Sequence, residues 1–346
     1  MFSASQCVSL APTAAPALCA RSCERICSLG LETSVATSGM KKGGSLASGG
    51  GVVGNVILIA GPTASGKSAM ALALAEREDR IVVNADSMQV YSVLDVLTAR
   101  PRAAELARAP HALYGHVHPS EPHSTGAWLR DVRRLAEEGA FAQHAPIFVG
   151  GTGLYFRALT EGLSEMPEVP VAIRARWRAR LQSEGAQALH ALLAREDPAT
   201  AARLKPGDGQ RIMRALEVLE ASGRSIEAWQ AERGQPTVDA ASARRIVIEP
   251  LRALLVERIE TRLAGMVEAG ALREVETLLS LGLDPAMPAM KAIGVREFGM
   301  ALAGRISSEE AVRLAALSTR QYAKRQSTWF RNQLGPEWER LQSTSF

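Results

Sequence analysis

From residue 54 onward, apolar residues arrive in short runs separated by helical stretches. Residues 56–60 (Val-Ile-Leu-Ile-Ala) read as a buried strand and residues 81–83 (Ile-Val-Val) as a second. Residues 147–149 and 245–248 read as a third and a fourth. Between them, residues 65–78 read as a helix with Met70, Leu72 and Leu74 in an Ala-rich background. Residues 126–144 read as a helix with Leu129, Val132, Leu135 and Ala136 on one face. Strands without polar alternation, interleaved with helices, predict an α/β fold: a P-loop NTPase-like parallel sheet with helices on both faces.

Residues 166–243 break that rhythm. Pro167 and Pro170 mark a linker, and Arg-rich helical text follows to Gly223. This predicts a helical insertion domain between two parts of the core, 54–165 and 244–335, with 336–346 as a tail. From Leu251 the pattern is helical, interrupted at 282–288 and near Gly304. Residues 1–53 are rich in Ser, Ala and Gly, and such text buries too little apolar surface to offset its ordering entropy. It reads as a disordered or non-native extension, with Met40 an alternative start. A targeting peptide is the second reading: the stretch is acid-poor, but its first 20 residues carry no charge.

Composition narrows the class. The chain has 346 residues, enough for about two domains, and a formal net charge of +4 that allows a polyanionic partner without requiring one. No run of 18 apolar residues predicts a membrane span. Cys7, Cys19, Cys23 and Cys27 all lie in the extension, in a spacing that matches no zinc or iron–sulfur pattern. A body without thiols fits a reducing cytoplasm.

Three segments carry candidate chemistry. Gly61, Pro62, Thr63, Ala64, Ser65, Gly66, Lys67 and Ser68 fit G-x4-G-K-[ST] between a predicted strand and a predicted helix. That pattern cradles a diphosphate or a nucleotide triphosphate such as ATP. Lys67 supplies a point charge, and Ser68 is the candidate ligand for Mg2+. Asp86 follows the second strand, at the sheet edge where ligands bind, and fits a base, a cap or a magnesium ligand. Gly150-Gly-Thr-Gly153 puts a second helix start, with the Thr152 hydroxyl, at that edge. An ordinary tight turn explains it as well.

Taken in order, these segments resemble the tRNA dimethylallyltransferase (isopentenyl-tRNA transferase) family. The resemblance runs from about 55 to 335. It includes GPTASGKS, NADSMQVY, TARP, VGGTGLYFRALTEGLS, DGQRIMRALEVLEASG, MKAIGVRE and TRQYAKRQSTWFRN. Absence of the eukaryotic zinc finger favours a bacterial type. The resemblance implies transfer of a dimethylallyl group from dimethylallyl diphosphate to the N6 amine of the adenine at tRNA position 37, next to the anticodon. It implies Mg2+ as cofactor, the tRNA anticodon stem-loop as partner, and a cytoplasmic monomer. Asp86 matches the proton-accepting carboxylate, and Thr152 joins it as a catalytic candidate. Residues 63–68 match the diphosphate segment. The tRNA contacts fall on Asp86, Ser87, Met88, Gln89, Thr152 and Arg174; on Gln210, Arg211, Ile212, Met213 and Arg214; and on Lys291, Ala292, Ile293, Gly294, Val295 and Arg296. Leu97, Arg100 and Val295 depart from the usual Gly, Lys and Tyr.

Arg313, Arg320, Lys324, Arg325 and Arg331 make residues 311–331 basic, with Tyr322, Trp329 and Phe330 interleaved. Arg174, Arg176, Arg178 and Arg180 surround Trp177. Phosphate binding with base stacking competes with a solvated helix whose tryptophans are core. His111, His116, His118 and His123 crowd one predicted loop without a helical ligand spacing and read as surface or structural residues rather than a metal site. A small-molecule kinase and a nucleotide-dependent RNA-binding switch would share the phosphate loop. Prenylation of free adenine nucleotides would need no extended RNA surface.

Overall fold

A computed structural model describes residues 52–342. The strands are β1 (Ile57–Ala60), β2 (Ile81–Asn84), β3 (His111–Ala112), β4 (Pro146–Gly150), β5 (Arg244–Ile248) and β6 (Glu339–Leu341). They form one wholly parallel sheet in the order β3-β2-β4-β1-β5-β6. Alternate residues explain the continuous apolar runs. Leu58, Val83, Phe148 and Val247 pack into a core on one face, while Ile59, Val82, Ile147 and Ile246 pack with Met70 and Leu74 on the other. Both faces are dry, so no position asks for a polar residue.

Helices cover both faces. The first half contains α1 (Lys67–Glu78), α2 (Ala103–Leu106), α3 (Thr125–Glu137), α4 (Ala140–Gln143) and α5 (Gly153–Glu161). The helix expected over 126–144 is two helices, because Gly139 adopts φ 80° and starts a new turn. Residues 166–243 are helical as expected: α6 (Val171–Glu196, broken at Gly185), α7 (Pro198–Arg203), α8 (Gly209–Ser222) and α9 (Ile226–Ala231). They have their own small core of Trp177, Leu189, Leu193, Ile212 and Leu216. After β5 come α10 (Arg252–Glu268), α11 (Ala271–Ser280), α12 (Val295–Leu302) and α13 (Ser308–Gln333). Among the described residues no helix is long and apolar enough to cross a membrane.

Two boundaries differ from the sequence reading. Residues 336–342 are not a loose tail: β6 pairs with β5, and Trp338 is buried edge-on against Phe156, ring centroids 5.6 Å apart. A three-residue strand is too short to show periodicity. The extension, its four cysteines and Met40 lie outside the described residues, except its last two positions. Of these, Val53 bonds through its backbone to Thr237 and Asp239. β3 was not foreseen, since two residues carry no pattern. Trp338→Ala should cost about 3–5 kcal/mol, as for other buried aromatic truncations. Urea unfolding of the full chain measures it; a loss under about 1 kcal/mol would mean the last strand contributes little.

Candidate active site

The phosphate loop leaves β1 and enters α1 as its motif demands. Gly66 (φ 93°) and Ala64 (φ 62°) take left-handed conformations, and a Cβ on Gly61 would meet Ser65 Oγ at 2.6 Å. The N–H groups that open α1 have no intrahelical partner and face the loop's concavity. Lys67 Nζ folds back to donate to the Pro62 carbonyl (3.2 Å), and the buried Ser65 Oγ has no partner. Arg258 Nη1 donates to the Ser65 carbonyl (3.4 Å) and Arg262 Nη1 to Thr63 Oγ1 (3.3 Å). These arginines, one turn apart on α10, were missed by sequence reading. The available signal was an i, i+4 pair on the helix after a core strand. Desolvation lowers the Lys67 pKa to about 8, with Asp86 pulling it up and Arg262 pushing it down. Burial lowers Arg262 too, against the pull of Asp86.

Asp86 stands just beyond β2, close enough for its charge to act on Lys67 and Arg262. Asn84, fully buried, orients it: Asn84 Oδ1 accepts from the Asp86 N–H (2.8 Å), and Nδ2 donates to the Asp86 and Leu113 carbonyls. Asp86 Oδ1 accepts from the Met88 N–H (2.9 Å), while Oδ2 has no hydrogen-bond donor among the described residues. The turn after β4 passes flush beside it. A Cβ on Gly150 would strike the Ala85 carbonyl at 1.9 Å, and one on Gly151 would stand 3.3 Å from Asp86 Oδ2. Thr152 Oγ1 accepts from the Ser87 N–H (3.0 Å), joining the turn to the Asp86 loop. Burial, reinforced by the Asp86 charge, raises the phenol pKa values of Tyr114, Tyr155 and Tyr322. Tyr155 stacks on Trp128 at 4.1 Å, and its buried hydroxyl is unpartnered.

Gln326 of α13, buried, spans the two loops. Its Oε1 accepts from the Thr63 N–H (2.9 Å) and its Nε2 donates to the Gly151 carbonyl (2.9 Å). The basic motif around it suggested phosphate contacts; nothing in the sequence marked this amide as a strut.

Residues 61–68, Asp86 and Thr152 therefore converge. Gln89 turns away to hold the Thr98 and Ala99 carbonyls, and Arg262 Nη2 grips Thr98 from the other side (3.3 Å). Glu274 accepts the Asp95, Val96 and Leu97 N–H groups, fixing the same loop. Arg174, Gln210 and Arg211 are exposed on the helical insertion, whereas Ile212 is in its core. In 291–296, Lys291 and Arg296 are exposed, but Ala292, Gly294 and Val295 are buried. The Ala292 and Val295 side chains pack against the core. Leu97 packs toward Gly294, and Arg100 Nη1 donates to the Tyr91 and Ser92 carbonyls. Trp177 is core; Trp329 is half-buried, its ring lying where a Gly153 Cβ would go, 2.1 Å away. A groove along α13 runs past Trp329, Lys324, Arg325 and Asn332.

A parallel sheet whose neighbouring loops hold an anion cradle and a carboxylate oxygen without a donor at one edge defines a class: an enzyme that takes a group from a phosphorylated donor. Family models confirm and sharpen this. IPP transferase matches residues 89–333 and isopentenyl transferase residues 54–112. The chain is 64% identical over 304 residues to the tRNA dimethylallyltransferase of Mesorhizobium japonicum, covering 88% of this chain and 94% of that one. It is 63% identical over 284 residues to that of a Chelativorans species, covering 82% and 97%. Among solved structures, the tRNA isopentenylpyrophosphate transferase of Bacillus halodurans superposes with a TM-score of 0.57 at 33% identity, covering 83% of this chain and 89% of that one. A eukaryotic dimethylallyltransferase acting on tRNA superposes at 0.69 and 27% identity, covering 82% and 71%. The chain belongs to the tRNA dimethylallyltransferase (IPP transferase) family and is of the bacterial type.

Gln326→Leu leaves the Thr63 N–H and the Gly151 carbonyl unpaired, each worth about 1–3 kcal/mol. Urea unfolding should show a loss of about 2–6 kcal/mol for the two together, and calorimetry should show pyrophosphate binding weakened by about tenfold. A variant unchanged in both would remove the strut's importance. The Lys67 pKa of about 8 gives a second expectation. Diphosphate binding needs the ammonium, so affinity should hold below pH 8 and fall above it by up to about tenfold per unit. Lys67→Met supplies the baseline for the ligand's own ionisation. The sign for folding is opposite: the unfolded chain binds the extra proton between about 8 and 10.5, so this group's penalty on the empty fold lessens as pH rises through that window.

Proposed function

We propose that this chain transfers the dimethylallyl group of dimethylallyl diphosphate to the N6 amine of the adenine at position 37 of tRNA, releasing diphosphate. The observation that carries the residue assignment is proximity: Asp86 is the counter-charge that opposes the lowering of both Lys67 and Arg262, and the reaction cavity of this reading lies between them. The fold is read as P-loop NTPase-like, with the loop holding a diphosphate leaving group instead of a nucleotide triphosphate.

The donor's diphosphate lies against Lys67 and the amides of Gly66, Lys67 and Ser68, because the Thr63 amide is already bonded to Gln326. Arg258 and Arg262 face it from α10. Adenine N6 attacks the prenyl C1, the C1–O bond breaks, and the electron pair leaves with diphosphate. The N6 proton goes to Asp86 Oδ2, the oxygen without a hydrogen-bond donor. An exocyclic amine is a weak nucleophile, so removing its proton as the bond forms counts for much. The base must leave its stack to reach this cavity. Thr152 fixes the Asp86 loop through the Ser87 N–H and is a positioning residue. The oxygen donors here, Ser68 and the diphosphate itself, suit Mg2+, and the unpartnered Ser65 Oγ leaves a polar atom at the loop for the bound group. The ion would neutralise charge growing on the leaving diphosphate. Arg174, Gln210, Arg211, Lys291 and Arg296 are exposed and present the polar surface a tRNA backbone requires. The protein acts as a cytoplasmic monomer in this reading.

Incubation with tRNA, Mg2+ and labelled dimethylallyl diphosphate should yield prenylated adenosine. Phosphate transfer from ATP to a metabolite, or RNA binding without product, would overturn the reading. Asp86→Ala should lower turnover by about 10²–10⁴-fold while tRNA affinity, measured by filter binding, changes little. Near-normal turnover would remove Asp86 from its role.

A further inference from the structure

The loop joining β3 to α3 carries His116, His118 and His123, and the fold brings two of them onto one carboxylate. His116 Nε2 lies 3.1 Å and His123 Nε2 3.0 Å from the same oxygen, Asp131 Oδ2. The three donor atoms all lie within 4.8 Å of one another. The imidazoles meet edge to face at 5.5 Å, so their nitrogens converge instead of stacking past each other. Arg134 Nη2 takes the other Asp131 oxygen (3.0 Å), which fixes the carboxylate with Oδ2 toward the histidines. The His123 side chain is only 8% exposed, and its Nδ1 has no partner. Hydrogen bonding at Nδ1 therefore gives no reason for burying this ring.

We propose that His116, His123 and Asp131 form a binding site for a zinc-class divalent transition-metal ion, separate from the Mg2+ position at the phosphate loop. The nitrogen–oxygen separations lie close to the edge, about 3.3 Å, of a tetrahedron whose bonds are about 2.0–2.1 Å. Two imidazoles with one carboxylate select zinc-like ions; magnesium prefers an all-oxygen shell. His116, a quarter exposed, borders solvent and leaves room for water as the fourth ligand. Two ligands come from a loop and the third from α3, so the ion clips the loop to the helix. That loop begins beside Tyr114, which faces Asp86, and contains Val117, which pairs with Tyr91. Metal binding would thus stiffen one wall of the active-site cavity. The sequence hid the site because the third ligand lies eight residues past His123, on a helix that gives no motif with it.

The test uses the full chain with Cys7, Cys19, Cys23 and Cys27 replaced by Ser, because thiolates would compete for the same ions. The chelator-stripped protein is titrated with Co2+ alone and then with Zn2+. Visible absorption of tetrahedral Co2+ should saturate at about one ion per chain and vanish on adding Zn2+. Zn2+ should also raise the melting temperature. His123→Ala and Asp131→Asn should each weaken binding by at least about tenfold. His116→Ala, at the more exposed ligand, should do the same with the far-ultraviolet circular dichroism intact. His118→Ala should bind normally, since its Nδ1 is held by Ser120. Absence of the Co2+ band, or affinity in the three ligand variants as high as in the chain that keeps all three ligands, would overturn the proposal and leave a hydrogen-bonded triad.

Discussion

Lys67 and Arg262 lie near one another and are partly withdrawn from water, and a charge so placed is costly unless another offsets it. The two cations oppose each other. Asp86 offsets part of that repulsion, but one carboxylate faces at least two cations, so the empty site retains positive potential. In the proposed reaction a diphosphate would complete the compensation. The same imbalance would grip the leaving group more tightly as its charge grows, and selective binding of that kind is what lowers a barrier.

Holding such charges apart falls to structure that carries none of them. β1, β4 and β2 are consecutive neighbours in the sheet, and their C-terminal ends deliver the phosphate loop, the Gly150–Gly151 turn and Asp86 side by side. The middle turn must pass close to both neighbours. Glycine at 150 and 151 permits it, since any side chain would strike the Ala85 carbonyl or the Gln326 amide. Gln326 then ties the phosphate loop to that turn from a helix more than 170 residues away in sequence. Glu274 does similar work on the loop before Thr98, holding the Leu97 N–H. The second half of the chain thereby braces a phosphate loop and a carboxylate that come from the first half, and adds the Arg258 and Arg262 charges from α10.

This division explains what could be read from the sequence. The phosphate loop, Asp86 and the glycine turn are local patterns, each set by backbone geometry within a few residues, and each was legible. So were the four long strands, because burial on both faces leaves them uniformly apolar. Gln326, Arg258 and Glu274 act through partners far along the chain, and a Gln or Glu in a helix looks like any solvated residue until the fold places it. Strands of two or three residues, β3 and β6, fall below any period. In 291–296 the family pattern implies a block of six contacts; the structure exposes Lys291 and Arg296, leaves Ile293 partly exposed and buries the other three. A motif conveys which residues travel together without separating those that touch a partner from those that hold the backbone.

The spacing of the sheet bears on which reaction the loop can serve. Adjacent strands lie about 4.8 Å apart, so the ends of β1 and β2, with β4 between them, are separated by about 10 Å. A phosphate anchored at the end of β1 and a proton acceptor beyond β2 leave room between them for a short carbon chain and an amine. Alkyl transfer breaks the bond between the prenyl C1 and the outer oxygen of the diphosphate, with the amine attacking C1 from the side opposite that oxygen. The carboxylate, oriented by Asn84 and passed closely by the Gly150–Gly151 turn, stands beyond β2 while the phosphate loop stands beyond β1, a separation that suits an in-line attack at carbon.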